Sequence, residues 1–209
     1  MVKTARILIL VLIAPVVLYY LWTRAFVYLN YRREVYTDYF WYRAPWLLGH
    51  VVLGISTFLI GTLQLIPALR KGYPALHRGL GKIYIVCVVV STGISFYLDA
   101  TSKGSITYRT GLFTLAIAWL LTTLMGYACA RFGNFDMHRE WMIKSFVLTL
   151  SFVTFRFVDD LLARAGIGDF WERKVLVTWA CWVIPLFVTE LVLQVRRLYK
   201  FKTRLLEKG

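Results

Sequence analysis

The sequence predicts an all-α, polytopic membrane protein: a bundle of six transmembrane helices with both termini cytoplasmic. Three observations predict it. Of 209 residues, 59% are hydrophobic and only 17% are charged, against about a quarter charged in an average soluble domain. The mean hydropathy is +0.61. The apolar residues are also gathered into runs long enough for a helix to cross a bilayer.

The first run, Ile7–Thr23, follows Lys3 and Arg6, as the core of a secretory signal would. A cleavage site needs small residues, and the chain reads Tyr19-Tyr20-Leu21-Trp22-Thr23-Arg24-Ala25-Phe26 instead, so a retained anchor helix is expected. The later runs are Trp46–Leu69, Ile83–Leu98, Thr110–Ala130, Ser145–Val158 and Val175–Val195. The third and fifth are short by strict apolar count. Lys82 and Lys144 stand at their starts, where the long stem carries the ammonium out to the interface. Six helices of about 20 residues nearly exhaust the chain. Residues 1–209 are therefore expected to form one domain, with a central four-helix unit, residues 45–163, made of two similar hairpins.

Charge sets the orientation. The N-terminus, the loops around residues 70–82 and 131–144, and the tail together hold fifteen of the 25 Lys and Arg residues. Asp136, Glu140 and Glu207 are the acids on that side, against seven on the other. The positive-inside rule places that side in the cytoplasm. The net charge of +14 is then a topology signal, with added attraction of the tail Arg196–Lys208 to anionic headgroups. No soluble basic domain exists to bind nucleic acid. Cys87, Cys129 and Cys181 lie in or at the end of apolar runs without CxxC spacing, and read as small core residues. The eight Trp and thirteen Tyr read mainly as an interfacial belt.

Two short stretches nearly repeat each other. Leu76-His77-Arg78-Gly79-Leu80-Gly81-Lys82 and Met137-His138-Arg139-Glu140-Trp141-Met142-Ile143-Lys144 each place a His-Arg pair at the start of an apolar segment, with a Lys further in. Pro74 suits a first helical turn, and Asn134 and Asp136 suit an N-cap. Both histidines are thus expected in the first turns of parallel helices, at one depth. A helix N-terminus disfavours protonated imidazole, which leaves both rings neutral and able to ligate. That is the geometry of a bis-histidine haem, with His77 and His138 on the iron and Arg78, Arg139, Lys82 and Lys144 near its propionates. The same cations suit a lipid phosphate or a quinone headgroup, and a third reading has the His-Arg pair simply anchor each helix at the headgroups.

His50, the third histidine, heads a stripe of small residues, Gly54, Thr57 and Gly61, which points to close helix packing. A second bis-histidine site would need a partner in Ser105-Ile106-Thr107-Tyr108-Arg109-Thr110-Gly111, and none is there. Arg156 is expected to pair with Asp159 or Asp160, one turn on. Glu190, an ionisable residue inside a span, is a functional candidate, and pairing with Lys82 or Lys144 is the alternative. Pro185 should bend its helix. No protease, kinase or zinc-hydrolase motif occurs, and Gly79-Leu80-Gly81 lacks the context of a dinucleotide fingerprint.

The runs Leu76-His77-Arg78-Gly79-Leu80-Gly81-Lys82-Ile83-Tyr84 and His138-Arg139-Glu140-Trp141-Met142-Ile143-Lys144-Ser145, with Trp179-Ala180-Cys181-Trp182 and Glu190, resemble a bacterial membrane-protein family known only as domain of unknown function 2306. The resemblance covers roughly residues 46–195 and supplies no activity. It implies a multi-pass protein of the bacterial cytoplasmic membrane. In architecture the chain also resembles the six-helix ascorbate-reducible cytochromes b, which hold two haems with four histidines, one on each of helices two to five. That resemblance implies one haem b near the cytoplasmic face, because the fourth-helix histidine is missing. The expected function is electron transfer to or from a quinone or a redox or respiratory partner subunit. The competing expectation is a cofactor-free accessory or assembly subunit of a larger membrane complex.

Overall fold

A computed structural model describes residues 14–206. The first half of the expected anchor helix, residues 7–13, lies outside the described residues. Helix α1 (residues 14–20) continues through a π-turn, Leu21–Ala25, and a 3₁₀ turn, Phe26–Leu29. Next come α2 (Arg33–Trp41), broken at Thr37 by a φ of 56°, α3 (Ala44–Gln64), α4 (Pro67–Gly72), α5 (Pro74–Ala100) and α6 (Ile106–Arg131). The last three are α7 (Phe135–Thr149), α8 (Ser151–Arg164) and α9 (Phe170–Leu206). No strand occurs among the described residues.

Local chemistry explains most boundaries. Pro67 forces Ile66 into an extended conformation, so α3 stops at Gln64 and the expected second span is shorter than Trp46–Leu69. Pro74 starts α5 nine residues before Ile83, so His77 and Lys82 are both helical. Gly133 takes a φ of +75° and Asn134 N–H donates to Cys129 O at 2.9 Å, closing α6 in a left-handed turn. The Asn134 side chain then accepts from Met137 N–H and caps α7.

Four helices among the described residues are long and apolar enough to cross a membrane: Ala44–Gln64, Pro74–Ala100, Ile106–Arg131 and, within α9, Phe170–Tyr199. The expected fifth span, Ser145–Val158, is divided at Leu150 between α7 and α8. No proline or glycine marks that break.

The neighbours are α3 with α5, α5 with α6, α6 with α7, and α7 with α3. This closes a ring of four in which α5 and α7 stand diagonally. Side-chain bonds fix the directions. Arg43 reaches Leu98 O, His50 reaches Ser91, and Gln64 reaches His77 O, an antiparallel ladder between α3 and α5. His138 with Gly126, Ser145 with Thr123, and Thr149 with Trp119 make the same ladder between α7 and α6. Helix α9 packs on α6, α7 and α8. The core at the ring's centre is Tyr84, Val88, Trp119 and Leu148. A second cluster, Val17, Tyr20, Leu21, Ala25 and Val153, joins α1 to α8 and the α3 flank.

Candidate functional site

His77 lies in the first turn of α5 and His138 in that of α7, the two helices that face each other across the ring. His138 Nδ1 is 2.7 Å from Gly126 O. A carbonyl only accepts, so Nδ1–H is the donor and Nε2 keeps its lone pair. Metal-ligating histidines are commonly fixed in this way by a backbone carbonyl. His77 is held through its backbone, whose carbonyl accepts from Gln64 Nε2 at 2.8 Å. Its Nδ1 is buried without a hydrogen-bond partner.

The register of the two rings follows from a bond deeper in the bundle. Tyr84 Oη and Ser145 Oγ are 2.8 Å apart. Each is seven residues after its histidine, two helical turns and therefore on nearly the same face. Because Tyr84 and Ser145 point inward and meet, His77 and His138 stand at matched height about 10 Å above them. His138, Arg70 and Arg78 are all within electrostatic reach of His77.

The floor below the histidines is a closed hydrogen-bonded network. Tyr84 Oη also reaches Thr149 Oγ1 at 3.1 Å, Trp119 Nε1 donates to Thr149 Oγ1 at 3.0 Å, and Thr123 Oγ1 is 2.7 Å from Ser145 Oγ. All five residues are buried. Between this floor and the rings, α5 presents Gly81, one turn below His77, whose nearest outside atom to an added Cβ is Gln64 Nε2 at 3.8 Å. The matching place on α7 is Met142, whose Sδ lies against Gly126.

The mouth is basic. Arg78, Lys82 and Arg139 are exposed there, as are Arg70, Lys71 and Arg131. Lys144 is engaged: its Nζ is 2.6 Å from Glu190 Oε2 and 4.3 Å from the Trp141 ring centre. One turn nearer the mouth, Arg197 bonds Glu140. Helices α7 and α9 are thus tied by two successive ion pairs.

A family model described as a predicted membrane protein, DUF2306, matches residues 47–193. The chain belongs to this family. The DUF2306 match runs from α3 into α9 and so contains His77 and His138, the floor beneath them and the Lys144–Glu190 pair. No curated protein matches the chain, and no solved structure does. With the four apolar helices, membership makes this DUF2306 chain an integral membrane protein.

The remaining predicted residues fall elsewhere. His50 Nδ1 sits 2.9 Å from Ser91 Oγ and 3.2 Å from Ser95 Oγ, clamping α3 to α5. Of its small-residue stripe, Thr57 is fully buried and a Cβ added at Gly61 would run into Phe146 and Tyr84, whereas one at Gly54 would meet nothing within 4 Å. The expected Arg156–Asp pair is not formed. Arg156 instead stacks on Phe155, with Cζ 5.5 Å from the ring centre. Asp159 is taken by Lys174 at 2.5 Å and Arg173 at 3.7 Å, and Asp160 by Arg24 at 3.4 Å and Tyr20. The carboxylates turn toward α9 and α1, which bring cations from other elements.

Sequence reasoning missed the floor. Tyr84 and Ser145 ended the two repeated runs and shared an offset from histidine, the signal that could have found them. It also missed Asp99, whose Oδ2 is buried without a hydrogen-bond partner while Arg109 caps the Asp99 and Ala100 carbonyls.

Among the described residues no group of three or more His, Cys, Asp or Glu could hold a metal ion. A porphyrin brings four ligands of its own and asks the protein for only two. The donor set offers two imidazoles at matched height, one ring held at Nδ1 by Gly126 O and one with Nδ1 buried without a partner.

Proposed function

We propose that this DUF2306 protein is a six-helix, multi-pass protein of the bacterial cytoplasmic membrane with both termini cytoplasmic, carrying one b-type haem between His77 and His138. It passes electrons to or from a quinone or a redox or respiratory partner subunit. The observation that carries this reading is the pair of imidazoles at matched height on diagonal helices, with the Gly126 carbonyl committing His138 Nδ1–H and freeing Nε2. When bound, the haem supplies a one-electron couple whose potential depends on axial ligands and burial.

The chain's own residues do the rest. Gly126 O and Gln64 orient the two histidine-bearing turns. Arg78, Arg139 and Lys82 offer cations to carboxylates at the membrane surface. Gly81 leaves room on α5, and Met142, a flexible side chain, yields it on α7. In the network from Tyr84 to Trp119 every hydroxyl already has a partner. A cofactor-free accessory or assembly subunit is the second reading, favoured by Met142 packed on the inner face one turn below His138.

The deciding experiment is a reduced-minus-oxidised spectrum of detergent-purified protein from haem-replete cells. A sharp α band is expected. A colourless protein leaves the accessory-subunit reading. Reporter fusions in the 99–109 loop and at the C-terminus should report opposite compartments, and a shared compartment rejects the topology.

A further inference from the structure

Tyr84 is the largest side chain at the centre of the ring that is fully buried, at 1% exposure, and it crosses the diagonal between α5 and α7. Its Oη meets Ser145 at 2.8 Å and Thr149 at 3.1 Å. The remaining polar atoms of the network hold α6 to α7 instead: Thr123 to Ser145, and Trp119 to Thr149. Tyr84 alone among the five reaches from α5. End to end, a tyrosine and a serine joined by a hydrogen bond keep two helix axes well apart, and two imidazole side chains with a single atom between them have nearly the same reach. Gly61 on α3 limits closer approach from the side, because an added Cβ there would meet Phe146 at 2.6 Å and Tyr84 at 3.1 Å.

We propose that Tyr84 is a positioning residue: its hydrogen bonds to Ser145 and Thr149 are the strut that fixes the gap between α5 and α7, and through it the separation of His77 and His138 two turns above. This rests on the bis-histidine reading. Seven residues separate each histidine from its end of the strut, so a change in gap at Tyr84–Ser145 is passed up both helices along matching lengths of rigid backbone. The strut acts on the separation and orientation of the rings and touches neither.

Carbon monoxide tests it, because a haem with both axial positions held tightly does not take the gas. Reduced wild-type protein should leave its band unchanged when CO is added. Tyr84→Leu, which removes the strut, should raise the CO-reactive fraction about tenfold or more, the scale of one buried hydrogen bond. Tyr84→Phe should open the site less, since the ring still fills the diagonal. Ser145→Thr should keep wild-type behaviour, and Ser145→Ala joined with Thr149→Val, which takes both Tyr84 partners from α7, should not. Thr123→Val is the control, removing a bond of the same network that does not cross the diagonal. It should leave the haem closed to CO and its ferric paramagnetic-resonance signal unshifted. If Tyr84→Leu stays closed, or Thr123→Val opens equally, the strut is overturned while the haem reading stands. If Tyr84→Leu yields no folded protein, Tyr84→Phe and the Ser145 pair decide by the same two signals. A wild-type protein that is colourless or takes up CO overturns the bis-histidine reading and the strut with it.

Discussion

The two ends of the four-helix ring use histidine and charge in opposite ways. At the end carrying α4, His77 Nδ1 is buried without a partner, His138 spends only its Nδ1–H on Gly126 O, and the surrounding cations are mostly exposed. At the other end, His50 is clamped by two serines, Asp159 is held by two cations, and Arg109 is spent on the last carbonyls of α5. The second end spends its histidine and most of its charges on internal partners, although Asp99 Oδ2 there is also buried without a hydrogen bond, whereas the first end keeps its cations in the open. A buried ring nitrogen without a partner is costly, and beside exposed cations it makes the histidine end the better place for an external anionic ligand.

The sharpest way to break this contrast is to remove each histidine in turn. His77→Ala and His138→Ala should each abolish the α band, the largest effect expected here, and pyridine haemochrome titration should read haem content falling at least tenfold. His50→Ala should keep the band and lose about 2 kcal/mol of stability, because Ser95 Oγ still has Ser91 O as a partner but the buried Ser91 Oγ loses His50. Loss of the band in His50→Ala, with the protein folded, would erase the distinction between the ends.

Much of this contrast was legible in the sequence. The repeated His-Arg pair announced two equivalent positions, and Pro74 and Asn134 announced the helix starts that put them at one height. The break at Leu150 was not legible, because neither proline nor glycine marks it. The partners of Asp159 were hidden for another reason. Local spacing favoured Arg156, but Lys174 and Arg173 arrive from α9, and only the tertiary path brings them together. The Tyr84–Ser145 bond spans 61 residues and looked like ordinary core until the two offsets from histidine were set side by side.

The end opposite His77 and His138 should be the expensive one to disturb electrostatically. The Asp159 side chain is 12% exposed and Lys174 14%, so Asp159→Asn strands buried positive charge and should cost about 3 kcal/mol. Asp160→Asn should cost less than about 1 kcal/mol, because its partner Arg24 is 49% exposed. Reversible unfolding in mixed detergent micelles measures both, and equal costs would show that the two carboxylates share one environment.

Packing gives a smaller contrast along a single helix. A side chain at Gly61 meets Phe146 and Tyr84 at once, whereas Gly54 has open space. Gly61→Leu should cost about 2 kcal/mol through overpacking, and Gly54→Leu should stay within about 0.5 kcal/mol of wild type. If Gly61→Leu is tolerated, α3 can retreat from α7, and the ring is looser at the histidine end than its contacts imply.

The smallest expected effect concerns Lys144, which like Arg197 at the same end already has a carboxylate partner. Its partner Glu190 is 38% exposed and also accepts from Gln194, so water and a second donor share the pair. A double-mutant cycle of Lys144→Gln and Glu190→Gln should therefore give a coupling of about 0.5 kcal/mol. Because Lys144 is engaged by α9, Lys144→Gln should also leave the α band in place, while loss of the exposed Arg78 or Arg139 should weaken haem retention. A coupling above about 2 kcal/mol would place the pair in a dry environment at the α7–α9 seam. A lost band in Lys144→Gln would mean that this lysine leaves Glu190 to serve the site.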